Sequence, residues 1–404
     1  VSHSLRSPRV RIFLVAEAFS AIGSFATFVA IWGYAAYEFE ATAGDVSLFG
    51  IMLTLPGVVL GPTIGSVVDR IGPKATLGLA KITGVVASLA LLAADDFRSL
   101  TLLSLVHGVV GAFTVPALQS LPPRIVEDHE LARTNALVSL TDEIAIVAGP
   151  VVGGVSIGWF GFRGAFVVDA LTYLVGLLVL PMVQLRALPD DATGEGAPPR
   201  RLRDALEGIR LVAARPEIRR IVLAVSSVHL LYGAALLAEP LYVRDVLERP
   251  PSTFAALQAV FGVLLVGGGL VVARLEDRVA TFGWVLAGVV ASGGFAVVYL
   301  GTPSVVVAFV GVALWGSCTA LLSGPSRTLL QRSTPSNLHG RVLATDFMAA
   351  TAAQLLGIVL AGALVSVLDV PAAMAILGGG VAIVGLALER AHRRRRIVAS
   401  VGAG

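Results

Sequence analysis

The sequence predicts an all-α membrane protein of twelve transmembrane helices in two pseudo-symmetric six-helix bundles. Three observations predict it. The 404-residue chain is 56% hydrophobic and only 14% charged, with mean hydropathy +0.85, where a soluble domain carries roughly 25% charge. Its apolar residues form long continuous runs, unlike the short alternating segments of a membrane β-barrel. Its basic residues gather on one side of those runs, which requires an even number of crossings.

A helix needs about 20 apolar residues to cross some 30 Å of hydrocarbon. The first run, Val10–Tyr37, is too long for the apolar region of a cleavable signal peptide and lacks a small-residue cleavage site, so it reads as the first span. The second, Val46–Val68, is bent by Pro56 with Gly57 and by Gly61 with Pro62. It ends in a short charged turn, Gly65-Ser66-Val67-Val68-Asp69-Arg70-Ile71-Gly72-Pro73-Lys74. Spans three to six follow at Ala75–Ala94, Ser99–Leu121, Ala136–Trp159 and Ala165–Val183. Spans seven to twelve are Ile221–Val243, Thr253–Val272, Val279–Leu300, Val305–Ser323, Leu343–Val367 and Ala372–Leu388. The chain thus divides into a bundle at 1–183, a linker at 184–220, a second bundle at 221–388 and a basic tail at 389–404. In the linker, Leu188–Pro199 is rich in Pro, Gly and acids and should be flexible. Its second part, Arg200–Ala214, sets Leu202, Leu206, Ile209 and Val212 at helical spacing. That pattern fits a basic amphipathic helix at the inner membrane surface or a solvated linker helix.

Of the thirty Lys and Arg, the loops on one side hold only Arg98, Arg163, Arg244 and Arg249. The other side carries Arg6, Arg9 and Arg11, Arg70 and Lys74, the arginines of the linker, and Arg393 to Arg396. Both termini and the linker are therefore expected in the cytoplasm. The terminal arginine run reads as an anchor on the inner leaflet of the lipid bilayer, not as a nucleic-acid site. Cys318 is the sole cysteine, so an intrachain disulfide is excluded. Arg in place of Lys, with abundant Ala, Gly and Val, suggests a bacterial genome of high GC content and hence a bacterial inner membrane.

The charged turn resembles Gly-x-x-x-Asp-Arg-x-Gly-x-Lys, the loop between transmembrane helices 2 and 3 of the major facilitator superfamily. Gly65, Asp69, Arg70, Gly72 and Lys74 carry it, and Pro73 stands where that family usually has a basic residue. Gly149, Pro150, Gly153 and Gly154 in span 5 resemble the antiporter signature of the superfamily's exporters, with Ala145 in place of an upstream glycine. Read as physics alone, these small residues allow close helix approach and the proline bends its helix. Pro116 to Pro122, Phe166 to Ala170, Pro240 to Leu247 and Thr328 to Arg332 are similar to the macrolide-efflux and enterobactin-exporter branch. The departures are Gly23-Ser24 where that branch often has Gly-Asp, Glu17 where it has Gln, and the lack of the span 4 arginine of many drug–proton antiporters. His107 lies near that depth. The second-half copy of the turn, Gly267 to Arg278, is degenerate, although Arg274, Glu276, Asp277 and Arg278 cluster there. The resemblance implies the major facilitator fold, working as a single chain whose halves rock about a midplane site. The Gly65–Lys74 turn would then latch the cytoplasmic side by pairing with the loop between spans 10 and 11 or with the opposing half.

An ionisable group inside a span is costly and is a functional candidate. Glu17 lies about 10 Å along span 1 from Val10, at ~1.5 Å per residue, with Ser20, Ser24 and Thr27 forming a polar stripe. Asp142 and Glu143 sit at similar depth in span 5, so the three acids are expected to face one inner vestibule. Each is a candidate for proton exchange or for contact with a cationic substrate. A structural pair, or an acid at the interface, is the alternative. Asp169, a turn inside the outer end of span 6, reads as a structural hydrogen-bonding group, and Glu239 before Pro240 is a weaker candidate. His107 and His229 read as isolated core histidines. No His, Cys and Asp cluster has metal spacing, and neither Lys74 nor Lys81 follows a phosphate-binding glycine loop. With no nucleophile elbow either, the chain reads as no enzyme and needs no cofactor. The resemblance implies a secondary transporter driven by the proton gradient, exporting a small amphipathic compound such as an antibiotic, siderophore or secondary metabolite. Uptake of a small polar metabolite is the alternative within transport, and a non-transporting receptor on the same fold is the alternative outside it.

Overall fold

A computed structural model of the chain describes residues 5, 7–186, 202–275, 278–335 and 338–401. The first bundle begins with α1 (Pro8–Tyr37), α2 (Ala43–Ile71), α3 (Pro73–Ala90) and α4 (Phe97–Gln119). Helix α5 (Leu131–Val179) is twice as long as one crossing requires. It is broken at Gly161, whose φ of 69° and ψ of −178° are accessible in practice only to glycine. α5 therefore supplies the fifth and sixth crossings. With it, eleven helices among the described residues are long and apolar enough to span a membrane, which makes twelve crossings. α6 (Leu202–Ala214) is the linker helix. α7 (Pro216–Leu241), α8 (Pro251–Leu275), α9 (Phe282–Leu300), α10 (Val305–Arg332), α11 (His339–Val365) and α12 (Val370–Val401) complete the chain.

Helix ends follow local chemistry. Asp96 caps α4 by accepting the Ser99 N–H at 2.6 Å, and the Asp96 N–H closes the box by donating to Ser99 Oγ at 3.4 Å. Thr281 and Ser304 cap α9 and α10 through their side-chain oxygens. The charged turn is tighter than expected. α2 runs on to Ile71 and α3 starts at Pro73, so Gly72 alone joins them, at a φ of 89°. Pro73 fits there because the first residue of a helix has no backbone N–H bond to lose.

The chain forms two compact units. The first comprises Val1–Ala41, Ile51–Leu202 and Pro250–Ala259, and the second Thr42–Gly50, Arg203–Arg249 and Val260–Gly404. In the first unit α1 packs along α5, and α3 against α4 and α5. One end is closed by a cluster that includes Phe13, Val68, Leu77, Leu121, Val126 and Leu180. Close approach of α1 to α5 depends on the expected glycines. A Cβ on Gly149 would lie 2.3 Å from Phe25 Cβ, and one on Gly153 would lie 3.0 Å from the Ala26 carbonyl oxygen. In the second unit α7 and α11 meet closely, because Gly233 faces the Gln354 carbonyl and Gly357 faces the Leu230 carbonyl.

The linker helix belongs to the second unit. Val212 joins Ile218, Val222, Val225, Leu330 and Val342 in a buried cluster, Gly208 lies against Thr345, and Arg341 donates to Glu207 at 3.2 Å. Helix α6 is thus packed by one face on the ends of α7, α10 and α11, while Glu207, Ile209 and Arg210 on its other side are exposed. Leu188–Pro199, Glu276 and Asp277 lie outside the described residues.

Candidate functional site

The first unit holds a chain of buried polar groups at mid-depth. On α1, Glu17, Ser20 and Ser24 follow one helical face. On α3, Lys81, Gly84 and Ser88 do the same, and Asp169, Tyr173 and Gly176 repeat the pattern on the second limb of α5. Lys81 is fully buried, and its Nζ lies 3.0 Å from Glu17 Oε2 and donates to Ser20 Oγ at 3.0 Å. The ammonium also sits 5.8 Å from the centre of the Tyr173 ring, within cation–π range. Ser24 bridges the Tyr173 hydroxyl at 3.1 Å and Asp169 Oδ1 at 3.4 Å. Beyond it, Ser88 donates to Asp169 Oδ2 at 2.8 Å, and His107 Nε2 stands 3.3 Å from Ser88 Oγ and 3.8 Å from Asp169 Oδ2. Two acid–base pairs, Glu17 with Lys81 and Asp169 with His107, are thereby stacked along the unit. They are about 10 Å apart, as a seven-residue offset on a helix dictates at ~1.5 Å per residue.

Glycine makes this arrangement possible. A Cβ on Gly176 would come within 2.8 Å of Lys81 Nζ, and one on Gly84 within 2.8 Å of the Tyr173 ring. Each helix therefore leaves a gap for the large polar side chain of the other. Among the described residues only one oxygen of Glu17 finds a partner; Oε1 is buried without a hydrogen bond. A half-satisfied ion pair in hydrocarbon is costly, the mark of a group held for reasons other than stability.

The three acids expected to face one vestibule stand in different surroundings. Glu17 is 3% exposed and committed to Lys81, whereas Asp142 is half-buried, Glu143 is exposed, and neither joins the polar chain. Asp169 lies deeper than expected, because its helix limb starts at Gly161 and not at Ala165. It stands about 12 Å along that limb at ~1.5 Å per residue. His107 is not isolated, since Ser88 and Asp169 face it. Among the described residues, His229 meets its own helix's Val225 carbonyl and the Tyr232 ring. Glu239 is buried and its electrostatic neighbours are Tyr232 and Tyr299. Those tyrosines belong to an aromatic cluster in the second unit, where the Tyr232 and Trp315 rings stack 5.2 Å apart and Phe261 meets both. In the turn, Lys74 donates to the carbonyls of Pro181 and Val183, where it caps the end of the α5 limb. Arg70 is exposed, and the Asp69 side chain lies outside the described residues.

Lys81, Ser88 and Tyr173 are the site residues missed from sequence, although their spacing with Gly84 and Gly176 marks two helix faces. Asp346 in α11 was missed too; among the described residues its Oδ1 is buried without a hydrogen bond, and its charged neighbour is Arg327. Among the described residues no three of His, Cys, Asp and Glu stand together as a metal site would require.

Comparison with known proteins agrees with this architecture. Residues 13–355 match the sequence pattern of the Major Facilitator Superfamily. The enterobactin exporter EntS of Escherichia coli is 26% identical over 355 residues, covering 84% of this chain and 82% of EntS. An uncharacterised transporter of the same type, YfiS of Bacillus subtilis, is 22% identical over 377 residues, or 92% and 90% of the two chains. Among solved structures, a bacterial homologue of the lysosomal transporter Spinster superposes with a TM-score of 0.72 at 17% identity, over 95% of this chain and 96% of that one. The nucleoside transporter NupG superposes at 0.72 and 11% identity, over 95% and 99%. Twelve crossings in two units, together with a family match over most of its length, place the chain among multi-pass membrane carriers, not enzymes: it belongs to the Major Facilitator Superfamily.

Proposed function

We propose that the protein is a proton-coupled exporter of a small amphipathic compound, working by alternating access in a bacterial inner membrane with both termini in the cytoplasm. The observation that carries this reading is the stack of two buried acid–base pairs at mid-depth in the first unit. Four ionisable groups in hydrocarbon serve no packing purpose that apolar residues of equal volume would not serve better. A carrier that moves protons needs groups of this kind. Export is favoured over import by the Gly149-Pro150 and Gly153-Gly154 pattern in α5 and by the likeness to an enterobactin exporter. The proton gradient is the driving force in this reading, and no cofactor takes part.

The test is transport by the purified protein in liposomes carrying an internal pH dye, across a panel of amphipathic compounds that includes a catechol siderophore and a macrolide. An imposed pH gradient should drive compound movement, and compound movement should shift internal pH in the opposite sense. Movement of a compound with no proton flux and no response to the gradient would overturn proton coupling.

A further inference from the structure

The two buried pairs differ in their hydrogen count, and this separates their roles. Glu17 and Lys81 neutralise each other with the protons they ordinarily carry at neutral pH. Asp169 has no such partner. The groups that face it are Ser88 on α3, Ser24 on α1, Tyr173 on its own helix limb and His107 on α4. Of these only His107 can become a cation. Asp169 is fully buried and the His107 side chain is 10% exposed, so a lone carboxylate charge there has neither water nor a counter-ion to compensate it.

The hydrogen bonds define where the missing proton goes. Ser88 has one hydroxyl hydrogen and gives it to Asp169 Oδ2 at 2.8 Å. Its oxygen therefore presents lone pairs to His107 Nε2 at 3.3 Å. The other ring nitrogen, Nδ1, faces the Leu103 carbonyl at 3.4 Å and can only donate to it. A neutral His107 has one ring hydrogen for two acceptor sides: on Nδ1 it leaves a bare Nε2 facing Ser88 and the Asp169 carboxylate, and on Nε2 it leaves a bare Nδ1 facing the Leu103 carbonyl. One added proton satisfies both sides and supplies the cation that the Asp169 carboxylate lacks.

We infer that Asp169 and His107, with Ser88 between them, form a one-proton binding site, and that Glu17 with Lys81 is a closed ion pair that exchanges no proton with water. This rests on the proton-coupled reading above and assigns its proton. In the step itself a proton from water adds to the pair, as imidazolium beside carboxylate or as neutral imidazole beside carboxylic acid. The same proton returns to water when the site opens to the other side. No other bond changes. Ser88 positions the two groups and is not itself ionised.

Infrared difference spectra of the purified protein in detergent, recorded as a pH titration with the proton as the only ligand, test the assignment without a transport substrate. Against the background of the chain's other histidines, which every variant shares, the wild type should show one further protonation step per chain as pH is varied. Asp169→Asn should abolish the step by leaving His107 neutral throughout. His107→Gln should abolish it by leaving Asp169 a carboxylic acid throughout, seen as a pH-independent carboxyl carbonyl band. Glu17→Gln should keep it. The two dyad variants remove the step by opposite routes, so failure of one to fold leaves the other decisive, with size-exclusion profiles checking folding. No such further step in the wild type, its survival in Asp169→Asn or His107→Gln, or its loss in Glu17→Gln would each overturn the assignment. The liposome assay fails or succeeds independently: a titrating dyad in a protein that shows no gradient-driven transport would sink the exporter reading and leave the proton site standing.

Discussion

Lys81 shows how a single side chain organises its surroundings. Its ammonium satisfies Glu17 and Ser20 and lies over Tyr173, while its stem occupies the gap left by Gly176. Removing one partner of a buried ion pair leaves the other uncompensated, at a cost of about 3–5 kcal/mol, whereas apolar replacement of both is often neutral. Lys81→Met should therefore lower the thermal unfolding midpoint strongly, and Glu17→Leu combined with Lys81→Met should recover most of the loss. A double variant no more stable than the single one would show that Lys81 acts through packing alone. Gly176→Ala should perturb the same pair from the opposite side, because its methyl would contact Lys81 Nζ; overpacking of this kind costs about 1–3 kcal/mol, read by the same melts.

At the scale of the helix, conformational demand and spatial demand fall on different glycines. Gly161 has open space around it, so its requirement is purely dihedral. Gly161→Ala should destabilise by about 1–3 kcal/mol. Gly158→Ala, three residues earlier in regular helix with equally open surroundings, should be neutral or stabilise by up to about 1 kcal/mol. Chemical denaturation in mixed micelles compares the two. The cap of α4 adds a pH signature. The Ser99 N–H holds the Asp96 carboxyl below its ordinary range, so the cap's contribution is complete above the unfolded carboxylate value, about pH 4, and fades as pH falls through the folded one. The stability advantage of wild type over Asp96→Ala should accordingly shrink in acid and hold steady from about pH 5 to 8, as thermal melts across that range would report.

Across the whole molecule, the number of crossings, the position of the charged turn and the close-packing role of Gly149 and Gly153 were legible in the sequence. Each follows from local composition or from the lack of a Cβ. The identity of the polar pairs was not, because a pair is a property of two helices. Glu17 stood out as an acid in an apolar run, but Lys81 was hidden by its long aliphatic stem and by a position that only α1 and α5 explain. His107 read as isolated because Ser88 and Asp169 lie far from it in sequence. In the proposed transport cycle the turn acts as a switch through Asp69, with Lys74 reassigned to capping the end of the α5 limb. Asp69→Asn should lower transport in the liposome assay while leaving melting temperature and membrane insertion unchanged; full transport by that variant would remove the turn from the switch. Gly161 has one more consequence at this scale. A connection of a single residue has no slack, so the crossing that bears Pro150 and the crossing that bears Asp169 are coupled like two arms on one pin. The end of the first arm at Gly161 cannot shift without carrying the start of the second, and with it the limb that holds Asp169.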